Sequence, residues 1–273
     1  MFDSCSIRGY ESTPANVLDS RAGLNQFSTN EGDATVSSPS LNQASSPLGR
    51  ISVVIPTLNE AGALPETLAC ARRVPEITEV IVVDGGSADA TISIAREWGC
   101  LVLSHARGRG GQMRAGAART TGDVVLLLHA DTWLPPHAGR AALDSLRDPQ
   151  VVGGGFWKKF RKPGWLLRGS RLRCAVRLYL GRRIMGDQAM FIRRSILEEI
   201  GGVPDVPLME DFELCRKLRS RGRLALIRAT VSTSARRFAQ RGIARTYFLM
   251  WRVTLQYWLG TPLDKLARMY DQP

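Results

Sequence analysis

The sequence predicts an α/β protein, a doubly wound and mostly parallel sheet flanked by helices, with further helices at the C-terminus. Three observations carry this. Short apolar runs rich in Val, Ile and Leu alternate four times with helical segments between Ile51 and Asp131. The segments between them are long enough for parallel crossovers. Each run also stops abruptly on polar or glycine residues, as strands do at the mouth of an open sheet.

Ile51-Ser-Val-Val-Ile55 is the first strand, followed by the loop Thr57-Leu-Asn59-Glu60 and a helix from about Ala63 to Arg73. Pro65 is tolerated in the first turn of that helix. Val80–Val83 is a second strand, ending on Asp84-Gly-Gly-Ser87, and a helix capped by Ser87 or Asp89 runs to Trp98. Cys100–Leu103 is a third strand. Arg107-Gly-Arg-Gly-Gly-Gln112 then leads into an Ala-rich helix ending near Thr120. The fourth strand, Val124–Leu128, terminates on His129-Ala-Asp131. A carboxylate there caps a turn or binds a ligand.

Parallel strands share direction, so Glu60, Asp84, Arg107/Gln112 and Asp131 are expected on one rim. The glycines of 108–111 would let a ligand approach the backbone, and the arginines would meet phosphates. Neither a Walker-type Gly-Lys-Ser/Thr nor a G-x-G-x-x-G after the first strand is present.

The second half is less regular. Val151–Phe156 reads as a strand with room for a ligand or a bulge. From Phe156 to Gly186 there are ten Lys/Arg and no acid, with apolar residues at helical spacing around 165–180. Gly186–Ile192 reads as a strand, Arg194–Ile200 as a short helix, and Glu210-Asp211 as the start of another. Thr230–Ser234 reads as an edge strand before Arg236-Arg237. Helices over about Ala244–Leu259 and Leu263–Tyr270 end the chain.

Composition bounds the function. The chain has 273 residues, 44% of them hydrophobic, and no run reaches the ~18 apolar residues of a membrane span. Residues 1–49, rich in Ser, Asn, Thr, Pro and Gly, are expected to be a disordered tail, and residues 50–273 a single domain. The start of the chain lacks the pattern of a secretory signal. Five cysteines without C-x-x-C pairs argue against zinc or disulfides and suit a reducing cytoplasm. The net charge is +12, and the acidic tail leaves 35 bases against 20 acids in the remainder. That surplus calls for an anionic partner: nucleotide, phosphorylated acceptor, membrane surface or nucleic acid. A basic nucleic-acid-binding protein would leave the acidic rim unexplained, so no specific nucleic acid is expected. A sugar nucleotidyltransferase would need a Gly/Arg-rich phosphate loop where Pro-Thr-Leu-Asn-Glu stands.

The polar rim suits a nucleoside diphosphate held with a divalent cation. One carboxylate, Asp131, can hold Mg²⁺ or Mn²⁺ when the ligand's phosphates and waters complete the shell. Asp211 could deprotonate an acceptor hydroxyl. Arg236 and Arg237 could clamp leaving phosphates.

Ile55-Pro-Thr-Leu-Asn-Glu60, Val83-Asp84-Gly-Gly-Ser87-Ala-Asp89, Leu128-His-Ala-Asp131 and Glu210-Asp211-Phe-Glu-Leu214 together resemble family 2 glycosyltransferases. The resemblance spans residues 50–270. It implies a GT-A fold, a nucleotide-sugar donor, a divalent metal and single displacement with inversion onto a hydroxyl acceptor. Asp131 matches the metal-binding carboxylate and Asp211 the base. Thr57, Glu60, Asp84, Arg107, Gln112, Arg236 and Arg237 fall on the donor side; Asp187, Gln188 and Glu210 fall on the acceptor side. Three positions depart from the family pattern. His129 replaces the first Asp of D-x-D, Gly85 the second Asp of D-D-G-S, and Ser-Ala-Arg-Arg-Phe stands for Q-x-x-R-W. The motifs at 108–113, 128–132, 186–188 and 208–211 are similar to those of a bacterial subgroup labelled arsenosugar-biosynthesis glycosyltransferases. A cytoplasmic protein is expected. Either the basic stretch and the aromatic terminal helix make peripheral contact with an anionic membrane, or the stretch packs with a solvated charged face and Trp251, Tyr257 and Trp258 pack onto the sheet.

Overall fold

The computed structural model describes residues 48–161 and 183–271, which all lie in the unit of the chain that begins at Ser45. The expected tail up to residue 47 and the expected basic helix at 165–180 lie outside the described residues.

Four parallel strands form the first half: β1 (Ile51–Thr57), β2 (Ile77–Asp84), β3 (Leu101–Ser104) and β4 (Val124–Leu127). Helices α1 (Leu64–Arg72), α2 (Thr91–Glu97) and α3 (Arg109–Ala117) connect them. The second half adds β5 (Thr132–Trp133), α4 (Ala138–Ser145), β6 (Val151–Phe160), β7 (Met190–Arg193), α5 (Arg194–Glu199), α6 (Glu210–Arg219) and β8 (Arg223–Thr233). Three helices follow: α7 (Arg236–Arg241), α8 (Ile243–Trp258) and α9 (Leu263–Asp271). All eight strands join one sheet, ordered β3-β2-β1-β4-β7-β6-β8-β5. Strand β7 runs antiparallel between β4 and β6, while β6 and β8 are parallel.

The two-residue period of β1 decides which layer covers which face. Val53 and Ile55 point to the layer holding Leu64 and Leu68 of α1 and Ala138 and Ala142 of α4. Val54 points the other way, with Val83 and Leu127, toward Met113 of α3, Leu197 of α5 and Leu214 and Leu218 of α6. Helix α3 lies so close to the sheet that a Cβ on Gly116 would stand 2.4 Å from Val54 Cγ1. Leu64 and Leu68 are almost wholly buried; truncating either to Ala costs ~2–5 kcal/mol. A third cluster, Met209, Phe212, Val253 and Leu266, ties α8 and α9 to α6.

Four elements differ from expectation. Residues 186–188 form a 3-10 turn rather than the start of a strand, and β7 begins only at Met190, after Ala189 with φ 52°. Strand β8 spans eleven residues and lies between β6 and the short β5, not at the edge. Its first half mixes arginines with aliphatics, which obscures the alternation. Strand β5 precedes and helix α4 follows Pro135-Pro136, which look like loop punctuation in sequence. The glycines of β6 make room for the protein itself: a Cβ on Gly154 would lie 2.4 Å from Ala225 O, and one on Gly155 would lie 2.4 Å from Ile184 Cγ2. The register with β8 is irregular at two places, between Val151 and Gly153 and between Phe156 and Trp157.

Candidate active site

The C-terminal ends of β1 and β2 are stitched into one rim. Asn59, at φ 55°, accepts from Ala88 N–H through Oδ1 at 2.8 Å, and its own N–H donates to Ser87 Oγ. The N–H of Glu60 donates to Thr91 Oγ1, and that of Ala61 to Asp89 Oδ2. Asp84, 1% exposed, closes the turn by accepting from the N–H groups of Gly86 and Ser87, both at 2.8 Å. The Thr57 hydroxyl also donates to it, at 3.1 Å. Burial pushes its carboxyl up, but the Ser87, Gly86 and Thr57 donors outweigh burial and hold it below the usual range. Thr57 and Asp84 thus form the floor of the rim.

Gln112 projects from α3 under the same rim. Its Nε2 donates to Thr57 O at 2.9 Å and Val83 O at 2.7 Å, pinning β1 to β2 where their ladder ends. A Cβ on Gly85 would meet that amide at 3.1 Å, so Gln112 fills the space beside the position where the family carries a second Asp. The glycines ahead of Gln112 serve packing. A Cβ on Gly110 would stand 2.8 Å from the carbonyls of Pro204 and Val206, and one on Gly111 would stand 2.6 Å from His105 Cε1. Arg107 is exposed on the β3–α3 loop, level with the rim.

Asp131 sits half-buried just beyond β4, between that strand and β5. Its carbonyl accepts from Ser234 N–H at 3.1 Å, and Thr132 pairs with Thr233, so the end of β8 is fastened beside it. This delivers α7 to the rim. Arg236 reaches across and donates to both oxygens of Glu60, at 2.7 and 2.9 Å. That bond, together with the charges of Glu60 and Asp131, holds the guanidinium firmly protonated against burial. Arg237 lies on the same helix, and its side chain is outside what the structure describes.

The opposite wall is α6. Asp211 occupies its first turn, after Met209 in the left-handed region at φ 64°. Asp211 Oδ2 accepts from Gly186 N–H at 3.1 Å. The side chain keeps some surface access, but the protein packed round it makes burial the largest influence on its carboxyl. Burial and the neighbouring Glu210 push its pKa up to about 7, against the opposing pull of Gly186 N–H and Arg109. His129 connects this wall to β4: a Cβ on Gly186 would stand 2.7 Å from His129 Nε2. A small void lined by Met113, Leu127, His129, Gly186, Met190 and Asp211 lies at this junction.

The expected acceptor residues divide. Glu210, almost buried, forms an ion pair with Arg109 at 3.1 Å. Asp187 pairs with Lys158. Gln188 is fully buried, accepting from Met185 N–H and donating to Phe156 O at 3.2 Å, so it shapes the 3-10 turn. Two cations that sequence reading missed, Lys158 and Arg183, are now placed, and Arg109, expected to meet phosphates, instead pairs with Glu210. Arg109 lies within the glycine-rich loop yet faces α6. Lys158 and Arg183 belong to the basic stretch that resembles a solvated face. Lys158 is 5% exposed, and the Arg183 guanidinium lies between the Trp258 and Phe212 rings, 3.9 and 4.9 Å from their centroids. The absence of acids between Phe156 and Gly186 was the available signal, because Asp187 ends it.

An acidic-and-basic rim thus stands at the carboxyl ends of parallel strands, faced by a carboxylate on a helix, where open α/β sheets place their ligand sites. Residues 52–201, more than half of the chain, match the model of glycosyl transferase family 2, and the chain belongs to that family. Solved structures share the GT-A fold. A mannosyltransferase from Pyrobaculum calidifontis, solved with GDP-Man and Mn²⁺, is 22% identical with a TM-score of 0.56, over 75% of this chain and 60% of that one. TarS 1-349 of S. aureus is 16% identical with a TM-score of 0.55, over 68% of this chain and 60% of its own. Glucosyl-3-phosphoglycerate synthase of Mycobacterium tuberculosis, solved with phosphoglyceric acid, is 24% identical with a TM-score of 0.51, over 66% and 70%. The chain thus spans about three fifths of the length of the first two.

Proposed function

We propose that this protein is an inverting, metal-dependent glycosyltransferase that moves a sugar from a nucleotide-sugar donor to a hydroxyl acceptor. The observation that carries the reading is Asp211: a carboxyl whose pKa is about 7, on the helix wall facing the rim of the sheet. Such a group takes up a proton near neutral pH.

Asp211 accepts the proton of the acceptor hydroxyl as that oxygen bonds to the anomeric carbon. The bond from that carbon to the diphosphate breaks on the opposite side, so the centre inverts and the nucleoside diphosphate leaves. Gly186 N–H orients the carboxylate, and Arg109 holds Glu210 beside it. On the donor side, Thr57, Glu60, Asp84 and Arg107 make the nucleoside and phosphate rim, and Gln112 supports it from beneath by pinning β1 to β2. Arg236 and Arg237 exchange onto the diphosphate. Asp187, Gln188 and Glu210 shape the acceptor side.

Asp131 would hold Mg²⁺ or Mn²⁺. No group of three His, Cys, Asp or Glu side chains that could hold a metal occurs among the described residues. One hard carboxylate beside Arg236 therefore fits a cation shared with a diphosphate rather than a cage made by protein alone. The ion would supply charge neutralisation for the leaving group. The Mn²⁺ in the mannosyltransferase structure supports this assignment. In this reading residues 50–273 are the catalytic domain and 1–49 a tail. The setting is cytoplasmic with peripheral membrane contact, and the product is of arsenosugar or glycolipid type.

The test is a thermal-shift screen of nucleoside diphosphates and nucleotide sugars with and without Mn²⁺. Stabilisation that needs both metal and one nucleotide, followed by transfer with an inverted anomeric signal in NMR, is expected. No shift with any nucleotide defeats the reading.

A further inference from the structure

Helix α8 is buried along one side, with further ring contacts from Tyr247 to Phe238 and from Trp258 to Arg183. Leu249, Val253 and Tyr257, four residues apart, pack against α6 and α9; Val253 is 2% exposed. The Tyr257 hydroxyl donates to Glu213 at 2.6 Å, and its ring meets Phe212 edge-on at 5.4 Å. The other side carries Phe248, Trp251, Leu255, Trp258 and Leu259, exposed by 61, 59, 40, 57 and 69%. Spacings of three and four residues set the first four along one stripe, and Leu259 extends it. The expected packing of Trp251, Tyr257 and Trp258 onto the sheet does not occur: Tyr257 packs on α6, and Trp251 and Trp258 stand largely exposed.

At roughly 150–250 Å² per large side chain, the stripe exposes on the order of 500 Å². That is the upper end of what monomers show. The exposed Arg245 and Arg252, seven residues apart, border it on one side, and α8 contains no acid.

We infer that this face of α8 is a docking surface for an anionic lipid bilayer, with the aromatic stripe seated at the headgroup level and the arginines on the phosphates. Two observations favour a bilayer over a second copy of the chain. The patch falls short of the roughly 800 Å² per partner of a stable dimer. Apposing two such faces would also bring their arginines together on chains already at +12. Trp, Phe and Leu on one side of a helix with Arg at its border is the pattern of an interfacial helix. The inference rests on the proposed function for its purpose. Helix α8 packs on α6, the helix that carries Asp211, so a docked bilayer would lie on the acceptor side. The acceptor class it implies is a hydroxyl borne by a membrane-embedded lipid.

The experiment is flotation of the full chain with vesicles of phosphatidylcholine alone or with 30 mol% (about a third) phosphatidylglycerol, near physiological salt. The protein is expected to float with the anionic vesicles. Phe248→Ser/Trp251→Ser is expected to reduce the floated fraction about tenfold, and Leu255→Gln/Leu259→Gln likewise from the other end of the stripe. Both variants are expected to keep the nucleotide-dependent thermal shift, which separates this inference from the donor reading. Protein left at the bottom with anionic vesicles overturns the inference. So does flotation that both variants leave unchanged, which would assign binding to charge elsewhere. A concentration-dependent dimer abolished by either variant gives the face to a second copy and overturns it too.

Discussion

Gly186 donates its backbone N–H to Asp211 Oδ2 at 3.1 Å. The same glycine lies against the His129 ring, so the strand carrying the candidate metal ligand and the helix carrying the candidate base meet at one residue.

Substituting Gly186 by Ala should therefore be costly. Its added methyl would stand 2.7 Å from His129 Nε2, and an overpacked site of this kind loses ~1–3 kcal/mol. Urea denaturation should show that loss, and His129→Ala should recover part of it in the double mutant. Strict additivity would mean that the two residues do not press on each other.

Asp211→Asn should cut transfer by ~10²–10⁴-fold, the range of a general base, and should raise stability at the same time. The folded pKa of about 7 lies above the model value of 3.8, so between them the folded protein holds a proton that the unfolded chain has released. The stabilising contribution of the neutral carboxyl is complete below pH 3.8 and disappears as the pH rises through about 7. The Asn variant should accordingly melt higher than the parent at pH 8 and alike near pH 4. In the parent, kcat/KM should fall on the acid side with an apparent pKa near 7. A limb at the ordinary carboxylate value would remove Asp211 from the role.

Asp131→Ala should abolish the part of nucleotide stabilisation that depends on Mn²⁺ and leave the apo melting temperature nearly unchanged, because the half-buried carboxylate ends a strand rather than packing a core. Calorimetric titration with nucleotide, with and without metal, measures this directly. Undiminished metal dependence would move the cation elsewhere.

Arg236→Ala should weaken nucleoside diphosphate binding by about 10-fold or more, the worth of a hydrogen bond to a charged group. The Arg236–Glu60 pair is partly exposed, and such pairs contribute ~0–1 kcal/mol, so stability should barely move. A variant that loses its fold and keeps its relative affinity would contradict this.

The sequence by itself determined the first half of the fold and the set of residues on its rim. Buried parallel strands such as Val124–Leu127 are continuous apolar runs, and a run that stops on His129-Ala-Asp131 announces its mouth. The order of such runs implies a shared direction, so Glu60, Asp84 and Asp131 were legible as neighbours before any coordinates. Tertiary structure decided what each group touches. Gln112 and the glycines at 110 and 111 look like a phosphate loop in sequence, yet they pack against β1, β2 and the 204–206 segment. Glu210 and Arg109 are 101 positions apart, and nothing local marks them as a pair. The raised pKa of Asp211 likewise comes first from the protein packed round it, while Gly186 and Arg109 arrive from two other segments and pull the opposite way. Strand periodicity is local and is written along the chain; burial, charge pairing and the exposed side of α8 depend on distances between segments, which only the folded chain sets.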